Sequence, residues 1–133
     1  MNATPTVWLD GGWSTNVLPS AVGIEVDGGE MLTVLKRGTA LPATNSCRVT
    51  TTADYQTAGD VRVFYGDRRK TERNTLVGEA PLRGISPLKK GDVSIRLGLT
   101  VDVDGQVTLR AKEVNSDKAW KDRVFRQRIG LRK

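Results

Sequence analysis

The strongest constraint on the fold lies in residues 93–101, Val-Ser-Ile-Arg-Leu-Gly-Leu-Thr-Val. Val93, Ile95, Leu97, Leu99 and Val101 fall on one side at period two, with Ser94, Arg96, Gly98 and Thr100 on the other. Only an extended chain sorts side chains this way, and an apolar face of this length must be covered by a second layer. Asp102-Val103-Asp104-Gly105 then supplies turn residues, and residues 106–112 return with Val107, Leu109 and Ala111 inward. This is an antiparallel hairpin with one buried face.

The rest of the chain follows the same pattern. Val22, Ile24 and Val26 alternate with Glu25, Asp27-Gly28-Gly29-Glu30 forms a tight turn, and residues 31–35 come back as the partner strand. Residues 36–46, holding Gly38, Pro42 and Asn45, read as a loop, and β-branched residues 47–52 read as a strand. After a polar loop at 53–59, residues 60–65 place Val61, Val63 and Tyr65 on one face and Arg62 and Phe64 on the other. Residues 76–82 form a strand closed by Pro81, which suits an edge. Residues 83–92 are a connection, and residues 123–129 fit a strand or a short helix equally. No helix of three turns is predicted before Lys118. The expected class is all-β, a sandwich or barrel, in a chain of 133 residues that holds one core. Residues 1–15 read as a linker or leader, 16–129 as the folded domain and 130–133 as a basic tail.

The chain has no histidine. That removes the commonest general base, the histidine-activated nucleophiles and most catalytic metal sites, so catalysis in this chain is not expected. A single cysteine, Cys47, excludes an internal disulfide and a multi-cysteine zinc site. No apolar run approaches the ~18 residues of a membrane span, and no secretory pattern is read at the N-terminus. The net charge of +6 admits an acidic partner.

Four constellations were weighed as chemistry. Asp102, Asp104 and Glu113 have the outer spacing of a calcium loop, but the central glycine position is Val107, so a hairpin turn is favoured. Arg68, Arg69, Lys70 and Arg73 form one basic cluster, and Lys118, Lys121, Arg123, Arg126, Arg128, Arg132 and Lys133 another. With few aromatics beside them, solvated surface is favoured over nucleic-acid binding. Asp27 and Asp54 lie in turn-like sequence, where aspartate bonds the local backbone, rather than forming a catalytic pair. The glycines carry no following Gly-Lys-Ser/Thr, so no phosphate loop is read.

Gly23-Ile24-Glu25, Gly28-Gly29, Met31, Thr39, Leu41-Pro42, Asp54, Gln56 and Gly66-Asp67-Arg68 together resemble one family. Asn74, Leu76, Gly78, Leu82, Gly84-Ile85, Pro87, Asp102, Asp104-Gly105, Ala111-Lys112 and Asn115-Ser116 continue the match in order. It is similar to the substrate-binding domain of the heat-shock 70 (DnaK-type) chaperones, from about Asn16 to Lys118. The resemblance implies a β-sandwich of two antiparallel sheets, without a helical lid in this chain, whose loops hold an extended, partly apolar polypeptide. Main-chain hydrogen bonds would give affinity and a central pocket preference. The pocket implied is Ile24, Val26, Val49, Gly59, Val61 and Ile95, and the arch over the peptide is Asp27 and Thr52. The family has a larger aromatic at the Val49 position, a valine at Gly59 and apolar arch residues, so a wider pocket and a more polar arch are expected. Val7-Trp8-Leu9-Asp10 could correspond to the interdomain linker, given an insertion before Asn16.

The resemblance further implies no cofactor in this chain, ATP in a separate nucleotide-binding domain, a J-domain co-chaperone as partner, and a cytoplasmic location. The alternatives are the same fold with a degraded pocket, acting as a regulatory or protein-interaction module, and a basic nucleic-acid-binding β module.

Overall fold

The computed structural model describes residues 17–126 and residue 129. The expected leader, the interdomain-linker resemblance and the basic tail lie outside the described residues. Eight strands form two four-stranded antiparallel sheets. The first sheet has the order β2-β1-β4-β5, from β1 (Val22–Val26), β2 (Glu30–Leu35), β4 (Ala58–Tyr65) and β5 (Thr75–Arg83). The second has the order β3-β6-β7-β8, from β3 (Ala43–Thr50), β6 (Ser94–Val101), β7 (Val107–Glu113) and β8 (Ala119–Val124). The only helical elements among the described residues are 3-10 turns at Asp27–Gly29 and Thr71–Arg73.

The core is built largely from the inward positions predicted by period two, except that Val26, at the end of β1, is exposed. Val22, Ile24, Val61 and Val63 of the first sheet meet Ile95, Leu97, Leu99, Val101, Val107 and Leu109 of the second. Leu97, Leu99, Val101 and Val107 are at most 1% exposed. Each such aliphatic side chain contributes roughly 1.5–3 kcal/mol on burial. The β6–β7 hairpin closes as expected: Asp102 Oδ1 accepts from the amides of Asp104 and Gln106, both at 2.9 Å.

Two boundaries and one face assignment differ from the sequence reading. The strand expected from residue 47 begins at Ala43, because Ala43 to Ser46 pair with Val101 to Gly98 and the Asn45 side-chain Nδ2 donates to Val34 O at 3.0 Å. Loop-forming composition is overridden there by a long partner strand. The last strand is β8 (Ala119–Val124), ahead of the ambiguous 123–129 window. Its pairing with β7 carries a register shift between Leu109 and Ala111, which blurs period two in the sequence. Phe64, assigned to the outer face with Arg62, is 4% exposed. The Arg62 guanidinium sits 5.2 Å over its ring and shields it from water.

Candidate functional site

One end of the sandwich is open. The C-terminal ends of β1, β3 and β5 and the N-terminal ends of β4 and β6 converge there, as antiparallel pairing requires. A cleft of about 570 Å³ runs between the two sheets at that end. All eight residues named from the sequence line it: Ile24, Val26, Asp27, Val49, Thr52, Gly59, Val61 and Ile95. Ile24, Val61 and Ile95 are buried and form its floor. Val49 and Gly59 are half-buried on its walls, and Val26, Asp27 and Thr52 are exposed at the rim.

The Asp27 rim is a 3-10 turn that needs two glycines. Gly28 and Gly29 have φ of 83° and 71°, a region that disfavours side chains bearing a Cβ. A loop before β5 braces this turn from outside. Lys70 Nζ donates to Gly28 O at 3.1 Å, the Met31 amide to Arg69 O at 2.8 Å, and the Thr71 hydroxyl to Glu25 Oε2 at 2.7 Å. Glu25 also accepts from Arg62 at 2.8 Å. The Thr71 hydrogen bond, with that of Arg62, holds the Glu25 carboxyl below its ordinary value against partial burial. The first basic cluster is therefore partly spent on structure: Arg69 and Lys70 both pair with Glu30.

The Thr52 rim is held by one side chain. Gln56 Oε1 accepts from the Thr52 amide at 2.9 Å and lies 3.3 Å from its hydroxyl, while Gln56 Nε2 donates to Ala58 O at 2.8 Å. Gly59 is what leaves room for that amide: a Cβ there would stand 3.3 Å from Gln56 Nε2 and 4.0 Å from Ile85 Cδ1. Asp54 accepts from the Lys90 amide at 2.9 Å, a contact 36 residues away rather than the local backbone bond its turn-like sequence predicts, and ties the arch loop to the β5–β6 connection. Thr51 does the same, its hydroxyl accepting from the Gly91 amide at 3.3 Å.

Leu32, Leu82, Ile85 and Leu97 also line the cleft and were missed as site residues. Ile85 had a signal, since it lies in the Gly84-Ile85 pair of the resemblance. It is held in place by its amide bonding Thr57 O at 2.9 Å and by the neighbouring Ser86. The Ser86 amide and hydroxyl each donate to Glu113 at 2.8 Å. Burial pushes the Glu113 carboxyl up, but the two Ser86 bonds, helped by Lys118, outweigh it and hold the group below its ordinary value. Glu113 thus anchors the cleft floor, far from a calcium-loop role, and no cluster of metal-ligating residues exists among the described residues. Burial pushes the Cys47 thiol up, which keeps it a thiol rather than a nucleophile. No helix among the described residues is long and apolar enough to cross a membrane.

The arrangement is an apolar trough with a polar, hydrogen-bonding rim. Comparison with known proteins places the chain in a family. The sequence model of the family described as Hsp70 protein matches residues 13–129. The chain is 38% identical over 104 residues to the chaperone protein DnaK of Halobacterium salinarum, covering 78% of this chain and 16% of that one. It is 35% identical over 98 residues to a heat shock cognate HSP70 protein of Trypanosoma brucei brucei, covering 74% and 14%. It is 37% identical over 106 residues to heat shock 70 kDa protein 2 of Paracoccidioides lutzii, covering 80% and 16%. The match thus spans about a sixth of the length of these relatives, and the chain belongs to the Hsp70 family.

Proposed function

We propose that this chain is the substrate-binding β-sandwich of an Hsp70-type chaperone and that its cleft holds extended, partly apolar segments of unfolded polypeptide. The observation that carries the reading is the convergence of Ile24, Val26, Val49, Gly59, Val61 and Ile95 with the rim residues Asp27 and Thr52 on one cleft. Backbone groups at the rim would bond the main chain of a peptide, and the floor would take an apolar side chain. Asp27 over the trough disfavours acidic peptides and tolerates basic ones. The chain itself is not an enzyme on this reading. ATP binding and hydrolysis, a J-domain co-chaperone and a cytoplasmic setting belong to the whole protein.

A second reading keeps the fold and gives the cleft a regulatory or protein-interaction role. It is favoured by the missing side chain at Gly59 and the polar residues at both rims. Titration with a labelled, extended apolar peptide and with a single-stranded oligonucleotide, at two salt concentrations, separates the readings. Peptide binding with little salt dependence supports the chaperone reading. Binding to neither supports the interaction module, and steeply salt-dependent oligonucleotide binding alone overturns both.

A further inference from the structure

The outward face of the second sheet carries a row of cations. In the register of the sheet Arg48 stands opposite Arg96, and Arg96 opposite Lys112. Their chain neighbours Ile95, Leu97, Ala111 and Glu113 are buried, so the three side chains share the solvent face. Strand spacing makes the row about 10 Å long. One row further along, Arg110 lies flat over Gly98, with Nη1 donating to Thr100 Oγ1 at 2.8 Å. None of these four cations forms an ion pair among the described residues, although Arg37, Arg62, Arg69, Lys70 and Arg83 do. No outward position of β3, β6 or β7 is acidic. The shallow groove that Arg48, Arg96 and Lys112 line also meets two acidic residues, Asp117 in the turn after β7 and Glu113, which is 3% exposed and bonded twice by Ser86.

Like charges set directly opposite one another destabilise a sheet. A sheet that keeps three in line, none of them in an ion pair among the described residues, is matched electrostatically by an acidic partner. Guanidinium groups favour carboxylates in two-point contact, and an extended chain repeats its same-face side chains about every 6.8 Å, within the length of the row. Single-stranded nucleic acid would need stacking surfaces, and no outward position of β3, β6 or β7 is aromatic. We propose that this face is a second interaction surface, distinct from the cleft floor, that docks an acidic polypeptide segment across Arg48, Arg96 and Lys112. Arg48 also borders the cleft, whereas Arg96 and Lys112 do not, so these two carry the surface apart from whatever the cleft holds.

The test is anisotropy with fluorescein-labelled decaglutamate, using decaglutamine and a dT20 oligonucleotide as comparison probes. The full chain is compared with an Arg48→Ser/Arg96→Ser/Lys112→Ser variant and with an Arg68→Ser/Arg73→Ser/Lys89→Ser variant that loses the same charge elsewhere. Decaglutamate affinity is expected to fall on the order of tenfold in the row variant and less than twofold in the other. The thermal midpoint of the row variant should hold or rise, which shows that it folds. Equal losses in the two variants, no binding of decaglutamate, or tighter row-dependent binding of dT20 would each overturn the proposal.

Discussion

Filling Gly59 is the sharpest probe of the cleft. Its backbone is ordinary strand, so a side chain there meets only its neighbours: Gln56 Nε2 at 3.3 Å and Ile85 Cδ1 at 4.0 Å from the new Cβ. Valine would add two methyl groups to the wall, and a leucine side chain seated between them and Ile85 gains up to about 0.8 kcal/mol per buried group, or ~1.6 kcal/mol in all. Against this, the Gln56 amide must shift. Its bonds to Thr52 and Ala58 are worth about 0.5–1.5 kcal/mol each, so the single variant can gain little. Gly59→Val should therefore be measured with and without Gln56→Ala, using anisotropy of a leucine-centred peptide. In the Gln56→Ala background valine should tighten binding about fivefold to fifteenfold. In the native background the gain should be smaller, and the difference measures the displacement of Gln56. A phenylalanine-centred peptide should respond in the opposite sense, because the wider native trough is narrowed. Unchanged affinity for both peptides in both backgrounds, with the thermal midpoint intact, would refute the assignment of Gly59 to the pocket wall.

Other variants test the supports of the cleft. Asp27→Leu should tighten apolar peptides and abolish any preference for basic over acidic flanks, read in the same titration. Glu113→Gln removes a carboxylate that is 3% exposed and bonded twice by Ser86; it should cost about 1–3 kcal/mol in urea unfolding at pH 7. Because the Glu113 carboxyl is depressed in the fold, its contribution is present above the unfolded value near ~4.3 and is lost as pH falls through the lower folded value. The acid limb of the stability profile should accordingly flatten in Glu113→Gln. Gly98→Ala would place a Cβ 2.8 Å from Arg110 Nη2 and should lower the thermal midpoint by a few degrees, with Arg110→Ala restoring it.

The fold was legible where one force acts alone. Period two from Val93 to Val101 survives in β6 because its inward side is wholly core and its outward side carries no large apolar residue. Legibility failed at Asn45, whose turn-forming character is overruled by pairing with Leu99, and in β8, where a register shift and a mostly exposed strand leave no clean alternation. The eight cleft residues were named through family resemblance, since single valines and a glycine carry no chemical signature of their own. Gln56, Ser86 and Glu113 escaped as supports because their action depends on contacts 4 to 27 residues apart that no local pattern encodes. Asp102, in contrast, was correctly placed as a turn residue bonding the local backbone, whereas Asp54 bonds the distant Lys90 amide instead.

The cleft is the place where the space between two sheets runs out of side chains. Ile24 and Val61 form its floor on one sheet and Ile95 on the other, and all three also belong to the hydrophobic core. The width of the opening is therefore the inter-sheet spacing, fixed by Leu97, Leu99 and their neighbours rather than by the rim. An apolar side chain seated in the trough would act as one more core residue, supplied by another molecule. Occupancy and folding stability would then be linked quantities, so ligand should raise the thermal midpoint. Core substitutions well away from the rim would in turn alter what fits.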